Sequence, residues 1–124
     1  MSHKIQWFII PVSIFERANN FYNILLNTEL FLTKDAKNNQ IGIFGETDSE
    51  IITGCISEDK NLKPSNEGTI IYLDTQGNID EVINQVIPAG GKIKMPKTSI
   101  GEHGYIAHIE DTEGNIIGLH DIKK

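Results

Sequence analysis

Hydrophobic positions along the chain change period in a fixed succession, and that succession occurs twice. Ile5-Gln6-Trp7-Phe8-Ile9-Ile10 is a nearly continuous apolar run ended by Pro11, which predicts a strand buried on both faces. Ser13-Ile14-Phe15-Glu16 then has the form of a capping box, in which the cap hydroxyl accepts from the Glu16 N–H and the glutamate reaches back. Phe15, Ala18, Tyr22, Leu25 and Leu26 recur at helical spacing opposite Glu16, Arg17, Asn19, Asn20 and Asn23, so an amphipathic helix runs to about Asn27. Residues 29–33, 40–44 and 51–56 read as strands between the polar turns 34–39 and 45–50.

After the polar stretch 57–67 the order restarts. Residues 69–73 predict a strand, Asn78 to Glu81 a second capping box, and Ile79, Val82, Ile83 and Val86 the apolar stripe of a helix that Pro88 and Gly90-Gly91 terminate. Residues 92–95, 105–110 and 115–120 give three more strands. The expected fold class is therefore α+β: two pseudo-symmetric βαβββ modules, about 1–57 and 68–124, joined by a crossing over 58–67 in one domain. Eight strands argue against a ferredoxin-like sandwich, which needs four. The two sheets must bury both apolar faces, by facing each other or by curling round a shared cleft.

Charge and cysteine usage narrow the partners. A net charge of −6 with dispersed lysines argues against nucleic acid or an anionic membrane surface. The single cysteine, Cys55, forms no internal disulfide and suits a reducing compartment as a buried, inert thiol. The apolar run 5–12 lacks the form of a signal peptide, and no stretch has the ~20 apolar residues of a membrane span, so a cytoplasmic location is expected.

Several marks in sequence resemble the vicinal oxygen chelate superfamily, which includes glyoxalase I, extradiol dioxygenases and bleomycin- and fosfomycin-resistance proteins. They are the opening strand into Pro11-Val12, Phe15-Glu16-Arg17-Ala18 with Phe21-Tyr22, Ala89-Gly90-Gly91, and above all Ile109-Glu110-Asp111-Thr112-Glu113-Gly114-Asn115 ahead of the last strand. The resemblance covers nearly the whole chain. It implies a glyoxalase-like cavity or half-barrel, a homodimer, and a divalent metal held by one His, Gln or Glu from each of four strands. Residue by residue, those positions fall on Trp7, near Gly54, on Thr69 and on Gly118, and a one-residue slip of the first strand presents Gln6. These are not a competent ligand set, so no metal and no other cofactor is expected.

The resemblance also implies which side chains line the cavity: Trp7 and Ile9, Thr69 and Ile71, and Gly118 and His120. This mostly apolar set suits a small, partly aromatic molecule, or it simply fills a core. His120 is the first candidate for proton transfer, with a backbone-bonded strand-end histidine as its alternative. Gly101-Glu102-His103-Gly104 is either a loop closing on a ligand, with Glu102 or His103 acting, or a strand-entry turn. His108 shares a face with His120 if Asp111 pairs with Asn115 and opposes it if Asp111 pairs with Ile116; a shared face would allow a non-standard metal site with Glu110. Three functions follow: a metal-free small-molecule-binding protein, a lyase or isomerase using His120 with Glu102 or His103, and a protein-interaction module with a filled cavity. A pocket of several hundred Å³ separates the first two from the third.

Overall fold

In the computed structural model, residues 4–45 and 53–122 are described. They form β1 (Ile9–Pro11), α1 (Phe15–Leu26), β2 (Phe31–Lys34), β3 (Gln40–Ile43), β4 (Cys55–Glu58), β5 (Ile71–Asp74), α2 (Ile79–Ala89), β6 (Lys92–Ser99), a 3-10 turn over Gly101–His103, β7 (Tyr105–Glu110) and β8 (Ile116–Asp121). Residues 51 and 52 of the expected fourth strand lie outside the described residues, as do 46–50 of the turn before it. Each module makes one four-stranded sheet, ordered β1-β4-β3-β2 and β5-β8-β7-β6, and no closed barrel forms among the described residues. The doubled βαβββ pattern is thus the architecture.

Alternation decides which side of each sheet is dry. Ile10, Ile56 and Gly42 align across β1, β4 and β3, with Leu73 and Leu119 aligned across β5 and β8, and all five lie on the side the helices cover. From α1 and α2, Phe15, Ala18, Phe21, Tyr22, Leu25, Ile79, Val82 and Val86 join them in one core. Fully burying a side chain such as Phe21 or Leu25 contributes about 1.5–3 kcal/mol, so this stripe accounts for most of the modules' cohesion. The first strand is buried on one face only, with Ile10 3% and Ile9 47% exposed. It is an edge strand, which is why Pro11 can sit inside it without breaking a ladder.

The capping boxes do not form. Ile14, not Ser13, precedes α1, and neither Ser13 nor Asn78 caps through its side chain. Carboxylates from distant strands take the helix N-termini instead. Glu58, at the end of β4, accepts from the Phe15 N–H at 2.7 Å, and Asp121, at the end of β8, accepts from the N–H groups of Ile79 at 3.0 Å and Gly77 at 2.9 Å. An anion at a helix N-terminus satisfies orphan donors and opposes the helix dipole, so each module uses its last strand to anchor its own helix. Burial works to raise the Asp121 carboxyl, but hydrogen bonds from Thr75, Ile79 and Gly77, with the nearby His120, hold it below the usual carboxylate range.

The two modules are locked together by the turn between β7 and β8. Glu113 accepts from the N–H groups of Ser13 and Ile14, both at 2.9 Å, and is paired with Arg17, Nε to Oε2 at 2.7 Å. Beneath it the Tyr22 hydroxyl donates to Asp111 at 2.6 Å, and Asn115 Nδ2 donates to the Pro11 carbonyl at 2.8 Å. The hairpin that opens β8 is therefore the hinge pin between halves.

Candidate functional site

The repeat fixes which positions are equivalent in the two modules. The Val12 N–H donates to the Ser57 carbonyl at 2.9 Å, and the Thr75 N–H to the His120 carbonyl at 3.0 Å. On that offset Trp7 matches Ile70, Ile9 matches Tyr72, Cys55 matches Gly118 and Glu58 matches Asp121. By this internal offset, Ile70 rather than Thr69 is the counterpart of Trp7, and Cys55, next to Gly54, is the counterpart of Gly118. Thr69 is exposed ahead of β5, and Gly54 lies under the Phe8 ring, where any Cβ would collide with it. Ile71 likewise faces the helices and packs against the core, so Tyr72 is the residue that shares a face with Gly118.

On the side of the second sheet away from the helices, the registers put Tyr72, Gly118, His108 and Met95 in one row across four strands. A Cβ at Gly118 would collide with Cδ1 and Cε1 of Tyr72. Without it, the tyrosine ring lies over β8 and its hydroxyl meets Nε2 of His108 at 2.6 Å. The neighbouring row is Asp74, His120 and Ile106. Asp111 pairs with Asn115, so His108 and His120 do share a face. Each has Nε2 engaged, however, His120 with the His103 carbonyl at 2.7 Å. A carbonyl only accepts, so Nε2 of His120 carries a proton and Nδ1 is its free acceptor in the neutral ring. Glu102 and His103 belong to the exposed 3-10 turn, and it is the His103 backbone, not its ring, that reaches His120. Glu110 pairs loosely with Lys94 at 3.8 Å.

The corresponding side of the first sheet is apolar. Trp7, Ile9 and Phe31 are 46%, 47% and 42% exposed there, with Ile43 beside them. Cys55 is buried beneath; burial pushes its thiol up to about 11, against a smaller lowering by a hydrogen bond with Trp7. Trp7 and Ile9 are thus brought together, as are Gly118 and His120, but the two pairs lie on separate sheets. Cavities of about 550 Å³ and 950 Å³ do open on the surface. The smaller lies by Ser13, Lys37 and Lys63, the larger between Leu25, Phe44 and Val82, and neither is lined by the sequence-predicted site residues.

Tyr72 is the residue that sequence reasoning missed. Its signal was the alternation itself: with Leu73 needed in the core, Tyr72 must face the other way.

Over residues 4–119 the sequence matches the Glyoxalase/Bleomycin resistance protein/Dioxygenase superfamily. The chain belongs to that superfamily. Its fold is similar to a glyoxalase/bleomycin resistance protein from Albidiferax ferrireducens (TM-score 0.74, 18% identity, 98% of this chain and 100% of that one). It is also similar to the fosfomycin resistance protein FosX from Listeria monocytogenes (TM-score 0.66, 15% identity, 100% and 94%) and to TnmS3, an antibiotic binding protein from Streptomyces sp. CB03234 (TM-score 0.65, 20% identity, 99% and 98%). At these identities the likeness shows the fold. Among curated proteins, "Putative glyoxylase CFP32" of Mycobacterium tuberculosis is 38% identical over 51 residues, 41% of this chain, and the match spans only 18% of that relative's length.

The superfamily implies a divalent metal. At its four positions this member offers an indole, a buried thiol, an isoleucine and a glycine: Trp7, Cys55, Ile70 and Gly118. One sulfur donor does not make a metal site of the O/N type, and the described residues contain no group of three or more His, Cys, Asp or Glu placed to hold an ion. Nor is any helix among them long and apolar enough to cross a membrane.

Proposed function

We propose that this glyoxalase-superfamily protein binds a small organic molecule as a cytoplasmic homodimer, without the divalent metal its fold implies. The observation that carries the reading is the side-chain set at the four superfamily positions, which exchanges oxygen and nitrogen donors for an aromatic ring, a thiol and two apolar residues. Apolar walls with a few convergent polar groups are what small-molecule sites require. Trp7 and Ile9 form such a wall on the first sheet, and His120 and Tyr72, whose ring lies over Gly118, supply the polar counterpart on the second. A second copy, docking its second sheet against the exposed Trp7, Ile9 and Phe31, would cover that surface and enclose the ligand between unlike faces. TnmS3 and FosX, with the same fold, are named for antibiotic binding and fosfomycin resistance. The lyase or isomerase reading, through His120 with Glu102 or His103, has less support because the Nε2 proton of His120 is held by a backbone carbonyl, which leaves only Nδ1 to act, and Glu102 and His103 lie in an exposed turn.

Sedimentation at micromolar concentration, with emission from Trp7, the single tryptophan, as the ligand probe, tests this reading. A dimer and a saturable change in emission with uncharged aromatic compounds are expected. A monomer whose emission does not respond would sink it. Added Ni²⁺, Zn²⁺, Mn²⁺ or Fe²⁺ should leave the melting temperature unchanged; binding at a hundredfold excess over Kd would add about 2.7 kcal/mol, and such a rise would refute the metal-free part.

A further inference from the structure

On that small-molecule reading, we propose that the Tyr72–His108 pair is the polar recognition element of the site and that it takes the hydroxyl of an uncharged, planar conjugated ring. The pair is built rather than incidental. The absence of a side chain at Gly118 lets the Tyr72 ring cross β8, and it crosses at the height where His108 stands opposite. At 2.6 Å between the phenol oxygen and Nε2, one hydrogen bond joins the pair. Opened by a ligand, in the His108 tautomer that carries its proton on Nδ1, it presents one donor, the Tyr72 O–H, and one acceptor, Nε2. A hydroxyl is the smallest group that satisfies both at once: its oxygen accepts from Tyr72 and its hydrogen is donated to His108. No group is then left unpaired, which a ligand lacking the hydroxyl cannot achieve.

Two features select the rest of the ligand. Tyr72 remains 43% exposed while the inner face of its ring rests on Gly118, so its outer face is a platform for offset stacking by another flat ring. Asp74 lies in the next row on one side, and on the other Glu110 stands opposite Lys92 in the β6–β7 register with Lys94 at 3.8 Å, which leaves Asp74 as the acid that sets the local charge. A carboxylate or phosphate bound beside Asp74 would be repelled, whereas a neutral hydroxyl would not.

The test uses 4-nitrophenol and nitrobenzene as matched probes, at a pH below the pKa of 4-nitrophenol so that both stay uncharged, with the wild-type protein, Tyr72→Phe and His108→Ala, followed by calorimetry and by the absorption band of 4-nitrophenol. Wild type should bind 4-nitrophenol at least tenfold more tightly than nitrobenzene, with the band moving to longer wavelength as its hydroxyl proton is drawn to His108. Tyr72→Phe keeps the ring over Gly118 and should erase the preference. His108→Ala should erase the band shift. Equal binding of both probes to wild type, or an unchanged preference in Tyr72→Phe, would overturn the assignment while leaving the small-molecule reading standing. If neither probe binds, the assignment also falls, and the sedimentation and Trp7 measurements decide the broader reading separately.

Discussion

Removing the Glu113 carboxylate should unpin the two modules, with an effect that depends on pH in a defined direction. Its side chain is fully inaccessible, while that of its partner Arg17 is 47% exposed. Burial alone would raise its pKa, but Arg17, the Ile14 N–H, Thr112 and the Ser13 N–H outweigh burial and lower it from 4.5 to about 2. That lowering corresponds to roughly 3 kcal/mol of stability carried by the ionised form. For a folded pKa below the unfolded one, that stability is complete above pH 4.5 and lost as pH falls toward 2; at pH 3 about 1.5 kcal/mol should remain. In Glu113→Ala, urea denaturation at pH 7 should therefore show a loss of about 3 kcal/mol, with a melting temperature lower by roughly 10 °C for a domain of this size. The gap between wild type and variant should narrow by about half at pH 3. A gap below 0.5 kcal/mol at pH 7, or one that stays constant from pH 7 to 3, would refute the view that this carboxylate clamps the modules through its charge.

Two further outcomes follow from buried groups. Tyr22→Phe removes the donor that reaches Asp111 at 2.6 Å, both residues being buried, and should cost about 1.5–3 kcal/mol in equilibrium unfolding; a loss under 0.5 kcal/mol would mean that Asn115 and the Glu113 N–H already satisfy the carboxylate. Cys55, with its thiol pushed up from 9.0 to about 11, should react with iodoacetamide at pH 8 about a hundredfold more slowly in the native protein than in urea, and equal rates would contradict its placement under Trp7.

What the sequence could and could not specify follows from the range of the forces involved. The modules were legible because their signals are local: a 3.6 period from Phe15 to Leu25, short apolar runs elsewhere, and a glycine turn at Gly114. Phase was harder to read where a run is apolar throughout. The one plainly polar residue of Thr69-Ile70-Ile71-Tyr72-Leu73, Thr69, has the parity of the core-facing Ile71 and Leu73 and so marks the wrong face; the contact of Leu73 with the helices, a tertiary fact, turns Tyr72 outward. Caps failed for a related reason. A short-range hydroxyl at Ser13 or an amide at Asn78 competes with a full carboxylate delivered by a strand end, and Glu58 and Asp121 stand roughly forty residues from the N–H groups they accept. The hairpin register, which aligns His108 with Gly118, rests on the same kind of long-range choice: Asn115 is held by Asp111 within the turn and by the Pro11 carbonyl from the other module. The residues that shape the site thus owe their orientation to contacts between modules. Substitutions at Asp111, Glu113 or Asn115, none of which belongs to the proposed binding face, should therefore weaken the proposed binding by tilting β8 and with it Tyr72, His108 and His120.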